Sequence, residues 1–156
     1  MRWRHRMGFG VQSPWAYEFV SDVLFGKHRY YAFDTLNGTR SDEQLFRICA
    51  WLNPQTVYVH GATQTTESYL RSSAKSGSFY SLFYYASACA ADAERAVRAG
   101  EITPPACIIL EDILRPAVRN VWDALLRHPD ATASFDLGRR GILFFDPSRQ
   151  KQNYLI

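Results

Sequence analysis

Three short stretches carry residues able to do chemistry, and each directly follows an apolar run: His60-Gly61-Ala62-Thr63, Tyr84-Tyr85-Ala86-Ser87 and Glu111-Asp112. "TVYVHGATQTTESYL", Thr56 to Leu70, has the outline of a cofactor-binding loop, with a β-branched run, a glycine and then small hydroxyl residues opening a helix. Glu111 and Asp112 are two adjacent carboxylates, fewer hard oxygen ligands than a divalent cation needs to give up its waters. No metal site is therefore expected, and capping of the next helix by Asp112, or local hydrogen bonding, comes ahead of metal binding. His60 at a strand end reads as a satisfied polar residue before it reads as a ligand. The aromatic run Phe79, Tyr80, Phe83, Tyr84, Tyr85 reads as core and groove lining. Spacing alone places no Ser-His-Asp or Cys-His arrangement.

The elements that must position these residues are marked by punctuation. Ser13-Pro14 opens a first helix with Trp15, Phe19, Val20, Val23 and Leu24 on one face, ending near Gly26. "KHRYYAFDTLNGTR" has turn chemistry at Asn37-Gly38 and no period, which predicts a loop. Ser41 and Gln44 read as a capping box for a second helix striped by Leu45, Ile48, Cys49 and Leu52 and stopped at Asn53-Pro54. Strands are predicted at "TVYVHG", "SFYSLFYY" and "ACIILED", with helices over Thr65 to about Ala74, Ala86 to Ala99 and from Pro116 to about His128. "TASFDL", "GRR" and "GILFF" read as a terminal hairpin. Strands alternating with helices before a hairpin predict an α/β domain, mostly parallel, with an antiparallel edge. In such sheets ligands sit beyond the carboxyl ends of the strands, where all three reactive stretches fall.

At 156 residues the chain suits one domain, a helical cap over 1–55 and a sheet core over 56–156. Its 47% hydrophobic and 15% aromatic content is that of a globular protein. Much of the mild +3 charge lies in "MRWRHR", so no broad basic face is implied and nucleic acid is not an expected partner. The stretch that follows is too polar for a signal peptide, and no apolar run reaches membrane-spanning length, which points to a cytoplasmic protein. Cys49, Cys89 and Cys107 are far apart and odd in number, as expected of reduced thiols.

The segments "CIILEDILRPAVRNVWDALLRHPDATASFDLGRRGILFF" and "KQNYLI", with "GFGVQSPWAYEFV", "YYAFD" and "LNPQTVYVHGATQTTESYL", resemble a group of bacterial class I S-adenosylmethionine-dependent methyltransferase-like proteins. Together they cover most of the chain. The resemblance implies a Rossmann-like sheet of order 3-2-1-4-5-7-6. It places His60, Gly61, Ala62, Thr63 and Tyr84 at cofactor-binding positions and Glu111 and Asp112 at catalytic ones.

The departures from the group shape the functional expectation. His60 replaces the acid that ends the group's first strand, and Thr65 the second glycine of its loop. A lost charge-assisted hydrogen bond forfeits roughly 1.5–3 kcal/mol. A threonine where glycine freedom or close ligand approach is needed costs on the order of 1–2 kcal/mol. By its distance from "LEDI", "SFYSLFYY" matches the group's fourth strand, which leaves the second and third strands missing and Tyr84 in place of the fourth-strand acid. The expectation is a shortened, catalytically degenerate domain that binds no cofactor and acts in binding or protein interaction. The alternatives are an active methyltransferase holding S-adenosylmethionine in an atypical way and a nucleic-acid-binding remnant. Loss of strands 2 and 3 would make Thr56 to His60 a sheet edge without lysine or proline. That edge would be covered by the N-terminal helix or the "YYAFDTLNGTR" stretch, or paired in a homodimer, the outcome favoured here. It would be filled instead if "SFYSLFYY" were the second strand.

Overall fold

The computed structural model describes residues 13–74 and 77–156. The "MRWRHR" arm, and with it any role in nucleic-acid binding, lies outside the described residues. Pro14 starts α1 (Pro14–Glu18), which runs directly into a π-helical turn, Phe19–Leu24. Of the predicted apolar face, Phe19, Val20, Val23 and Leu24 are buried, joined by Ala16, while Trp15 stays partly accessible. The next segment corrects the sequence reading, because Tyr31–Leu36 forms a short helix, α2, that puts Phe33 against Phe46 and Tyr69. Left-handed Asn37 ends it. Helix α3 (Arg40–Leu52) buries Leu45, Ile48, Cys49 and Leu52 and ends on left-handed Asn53. Its cap is Thr39 with Asp42, each side chain bonding the other's backbone N–H, and not Ser41 with Gln44.

Strand β1 (Thr56–His60) is followed by α4 (Gln64–Ser73), β2 (Ser81–Tyr85), α5 (Ala90–Arg98) and β3 (Ala106–Leu110). Then come α6 (Pro116–Leu126), β4 (Ala133–Asp136), β5 (Gly141–Phe145) and β6 (Gln152–Leu155). The sheet order is β1-β2-β3-β5-β4-β6. β1, β2 and β3 run parallel; β5 is antiparallel to both β3 and β4, and β6 is parallel to β4. The fold is α/β and Rossmann-like, with two departures from the sequence reading. The antiparallel strand is internal, and the edge beyond β4 is taken by the tail "QNYL", whose mixed polar character hid a strand.

Alternation along the strands divides the core. Leu82, Tyr84, Cys107, Ile109, Ile142 and Phe144 face α1, α3 and α4. Phe83, Tyr85, Ile108, Leu110, Leu143 and Phe145 face α5 and α6. Aromatic rings fill the first layer at the hairpin, where Phe144 meets Trp15, Phe19 and Phe135 edge-on. In the second layer Trp122 lies against Gly141, where a Cβ would come within 2.6 Å of the indole ring.

This division fixes the hand of the connections. The β2–α5–β3 and β3–α6–β4 crossovers travel the same way across the sheet with their helices on the same face, so they share one hand. The β1–α4–β2 crossover also travels that way, yet α4 lies on the opposite face with α3, so its hand is opposite. Parallel crossovers are right-handed in about 98% of cases, and with two crossovers of one hand the left-handed exception expected under that rule is β1–α4–β2.

Candidate functional site

Adjacent parallel strands whose following helices leave toward opposite faces open a crevice at their carboxyl ends. α4 leaves β1 toward one face and α5 leaves β2 toward the other, and a cleft of about 390 Å³ lies there. Gly61, Ala62, Thr63, Tyr84, Glu111 and Asp112 all line it. The sequence thus brought six of its seven candidate residues to one place. His60 is the exception: its ring stacks flat on Tyr85, with centroids 4.5 Å apart, in the layer facing away from the cleft.

Gly61 turns the chain with φ +75°, and a Cβ there would meet the Cys89 Sγ at 2.7 Å. The glycine is required by its packing, with or without a ligand. Thr63 caps α4 by accepting from the Thr66 N–H at 3.2 Å. Thr65 is exposed in the first turn of α4, without positive φ and away from the cleft lining. The backbone cost and ligand obstruction expected of it are therefore absent.

Three carboxylates line the cleft, and each is engaged by the protein itself. Asp42 accepts from the Thr39 N–H at 3.0 Å and from the Thr66 hydroxyl at 2.7 Å. Glu111 accepts from the Arg140 Nε at 2.6 Å. Asp112 pairs with Arg139 at 3.3 Å. Asp112 is left-handed, with φ 56°, and does not cap the next helix; the residue flanking α6 is Arg115, whose side chain makes no cap bond. The chain instead turns through a bond from the Arg115 N–H to the Asp112 carbonyl.

Arg140 is the residue that sequence reasoning passed over. Its guanidinium is buried and ties three elements together, donating to Glu111, to the Gln44 side chain at 2.7 Å and to the Ser41 hydroxyl at 2.7 Å. Ser41 and Gln44 do not form a capping box because they are occupied here. The signal was present in "LGRRG": two arginines at a hairpin tip, at the same end of the sheet as the acid pair that follows β3. Tyr84 is nearly buried, and its hydroxyl makes no hydrogen bond to a described residue. Burial first, then the nearby Glu111 carboxylate, hold the phenol well above its usual pKa. Tyr84 is therefore a neutral donor, unable to act as a base near neutrality. Among the described residues, no three His, Cys, Asp or Glu side chains converge as a metal-sized group, and no helix is long and apolar enough to cross a membrane.

No family model, curated protein or solved structure matches the chain. The fold and cleft define its class, a Rossmann-like α/β domain with a crevice at the carboxyl ends of β1 and β2.

Proposed function

We propose that this chain is a shortened, catalytically degenerate relative of the class I S-adenosylmethionine-dependent methyltransferases, a pseudoenzyme acting in binding or protein interaction. The observation that carries the reading is that the β1–α4–β2 crossover has the opposite hand to the other two. In the parent order 3-2-1-4-5-7-6 the chain leaves strand 1 away from strand 4. A right-handed connection in that direction puts its helix on the face opposite the helices that follow strands 4 and 5. Helix α4 keeps that face. Excision of strands 2 and 3 sends the chain back to β2 from a helix that has not moved, and the hand inverts. The order β1-β2-β3-β5-β4 then reads as 1-4-5-7-6, with β6 added.

Degeneracy follows from the cleft. In this reading Gly61, Ala62, Thr63 and Tyr84 line the former cofactor site, His60 has turned away from it, and the strand whose acid would hold the ribose hydroxyls is gone. Glu111 and Asp112, the former catalytic pair, are bound by Arg140 and Arg139. One feature favours the alternative of an active enzyme with an atypical site: the unpartnered Tyr84 hydroxyl could donate to a ligand. Titration with S-adenosylmethionine and S-adenosylhomocysteine, read as a melting shift, separates the two. Ligand at a hundred times its dissociation constant adds about 2.7 kcal/mol. No shift is expected up to millimolar ligand, and a saturable shift at micromolar ligand overturns the degenerate reading.

A further inference from the structure

We propose that the partner is a second copy of this chain, joined antiparallel along the free edge of β1. The proposal rests on the interaction reading above and names its surface. Among the described residues, this crossover leaves β1 uncovered on the face away from α4. Tyr58 lies there, 45% exposed and stacked on Phe83 at 4.6 Å, beside the His60–Tyr85 stack. Among the described residues β1 pairs with β2 alone. The strand contains neither lysine nor proline, the usual guards of a bare edge.

The opposite edge is built differently. β6 follows exposed Lys151 and presents exposed Gln152 and Asn153. The first described residues, Ser13 to Trp15, lie beside Ser148, Arg149 and Tyr154 at that same end of the sheet.

Charge selects a second copy as the occupant. Glu67 and Arg71 lie on the side of α4 turned from α3, paired at 2.7 Å, and Arg71 reaches the Val57 carbonyl at 3.4 Å. A two-fold axis at Tyr58 sets Val57 against the second copy's Val59 and Thr56 against its His60. It also runs the two α4 helices antiparallel, with Glu67 of each toward Arg71 of the other, a self-complementary pattern. Two six-stranded sheets become one continuous sheet, and the Tyr58 rings become neighbours on the uncovered face.

Sedimentation velocity from low micromolar to submillimolar concentration tests this. The mass should rise from 17.9 kDa toward twice that value. Tyr58→Lys should stay at monomer mass while keeping the circular dichroism spectrum of the wild type. Glu67→Arg and Arg71→Glu should each weaken self-association roughly tenfold. Mixing the Glu67→Arg chain with the Arg71→Glu chain should restore a dimer made of one of each. A wild type of 17.9 kDa throughout, or a dimer indifferent to Tyr58→Lys and to charge reversal, overturns the proposal. The second outcome would put the contact elsewhere, and slow amide exchange over residues 56–60 in a monomer would mean that the chain covers its own edge. None of these results bears on cofactor binding, so failure here and failure of the degenerate reading remain distinct.

Discussion

At one end of the sheet, β3, β5 and β4 are buried at every position between two layers of helix. At the other, every residue of β1 stays partly accessible and Tyr58 is exposed. The difference follows from which faces are covered. Among the described residues, the hairpin end has α1 and α3 on one side and α6 on the other, while β1 has α4 on one side only. Stability therefore resides in the hairpin end, and the β1 end is where strands could be removed without loss of the core. The cleft sits between the two regimes, held by ties from the stable side.

The sharpest way to break this comparison is to remove matched aromatic rings. Phe144→Ala, which vacates the centre of the Trp15–Phe19–Phe135 cluster, should cost about 3–5 kcal/mol in urea unfolding. Tyr58→Ala, measured at concentrations that keep the chain monomeric, should cost less than about 1 kcal/mol. Equal losses would mean that the ends are equivalent. Next in size is the tie across the cleft. Arg140→Met strands the Glu111 carboxylate and should cost about 2–3 kcal/mol, somewhat below the loss for a fully buried pair, because Glu111 keeps some contact with water. Adding Glu111→Gln should recover part of that loss, and a strictly additive double mutant would show that the two side chains act independently.

The smallest expected effect is a pH dependence at the hairpin end. Burial alone would raise the Asp146 carboxyl, but hydrogen bonds from Tyr80 and Ser148 and the charge of Arg149 outweigh it and hold the pKa below the usual value. A depressed folded pKa stabilises the protein above the ordinary carboxylate range, and that contribution is lost as pH falls through the lower, folded value. Asp146→Asn should therefore lower stability near neutrality and flatten the acid limb of the stability profile. An unchanged acid limb would remove Asp146 from the account.

The helical stripes were legible in the sequence because their period depends only on which face is buried. Leu45, Ile48, Cys49 and Leu52 were such a stripe. Residues whose role depends on distant partners were not legible. Ser41 and Gln44 have capping-box spacing, yet a guanidinium nearly a hundred residues away takes both. Phe79 continues an aromatic run, but the strand begins at Ser81 and the ring is 88% exposed. The candidate site was found as a location, since three loops at strand ends must meet beyond the sheet. Its state was hidden, because the arginines that occupy its acids belong to a turn chosen by the β4–β5 register. Gly61 shows how a signature can mislead: its φ of +75° and the crowding by Cys89 and Ala86 favour glycine with or without a ligand.

The left-handed crossover also bears on the order in which the molecule assembles. A right-handed strand–helix–strand unit gains from the match between strand twist and helix coil, so it can close on itself early. β1 and α4 lack that advantage, and what holds them is the packing of α4 on α3 and the ladder to β2. They are therefore expected to dock onto a sheet that already exists and to be the first to leave it, an order that faster amide exchange over residues 56–73 than over β3 to β5 would show. On that expectation β1 and α4 form a detachable unit of strand and helix, whose opening would bare the side of β2 without dismantling the hairpin core.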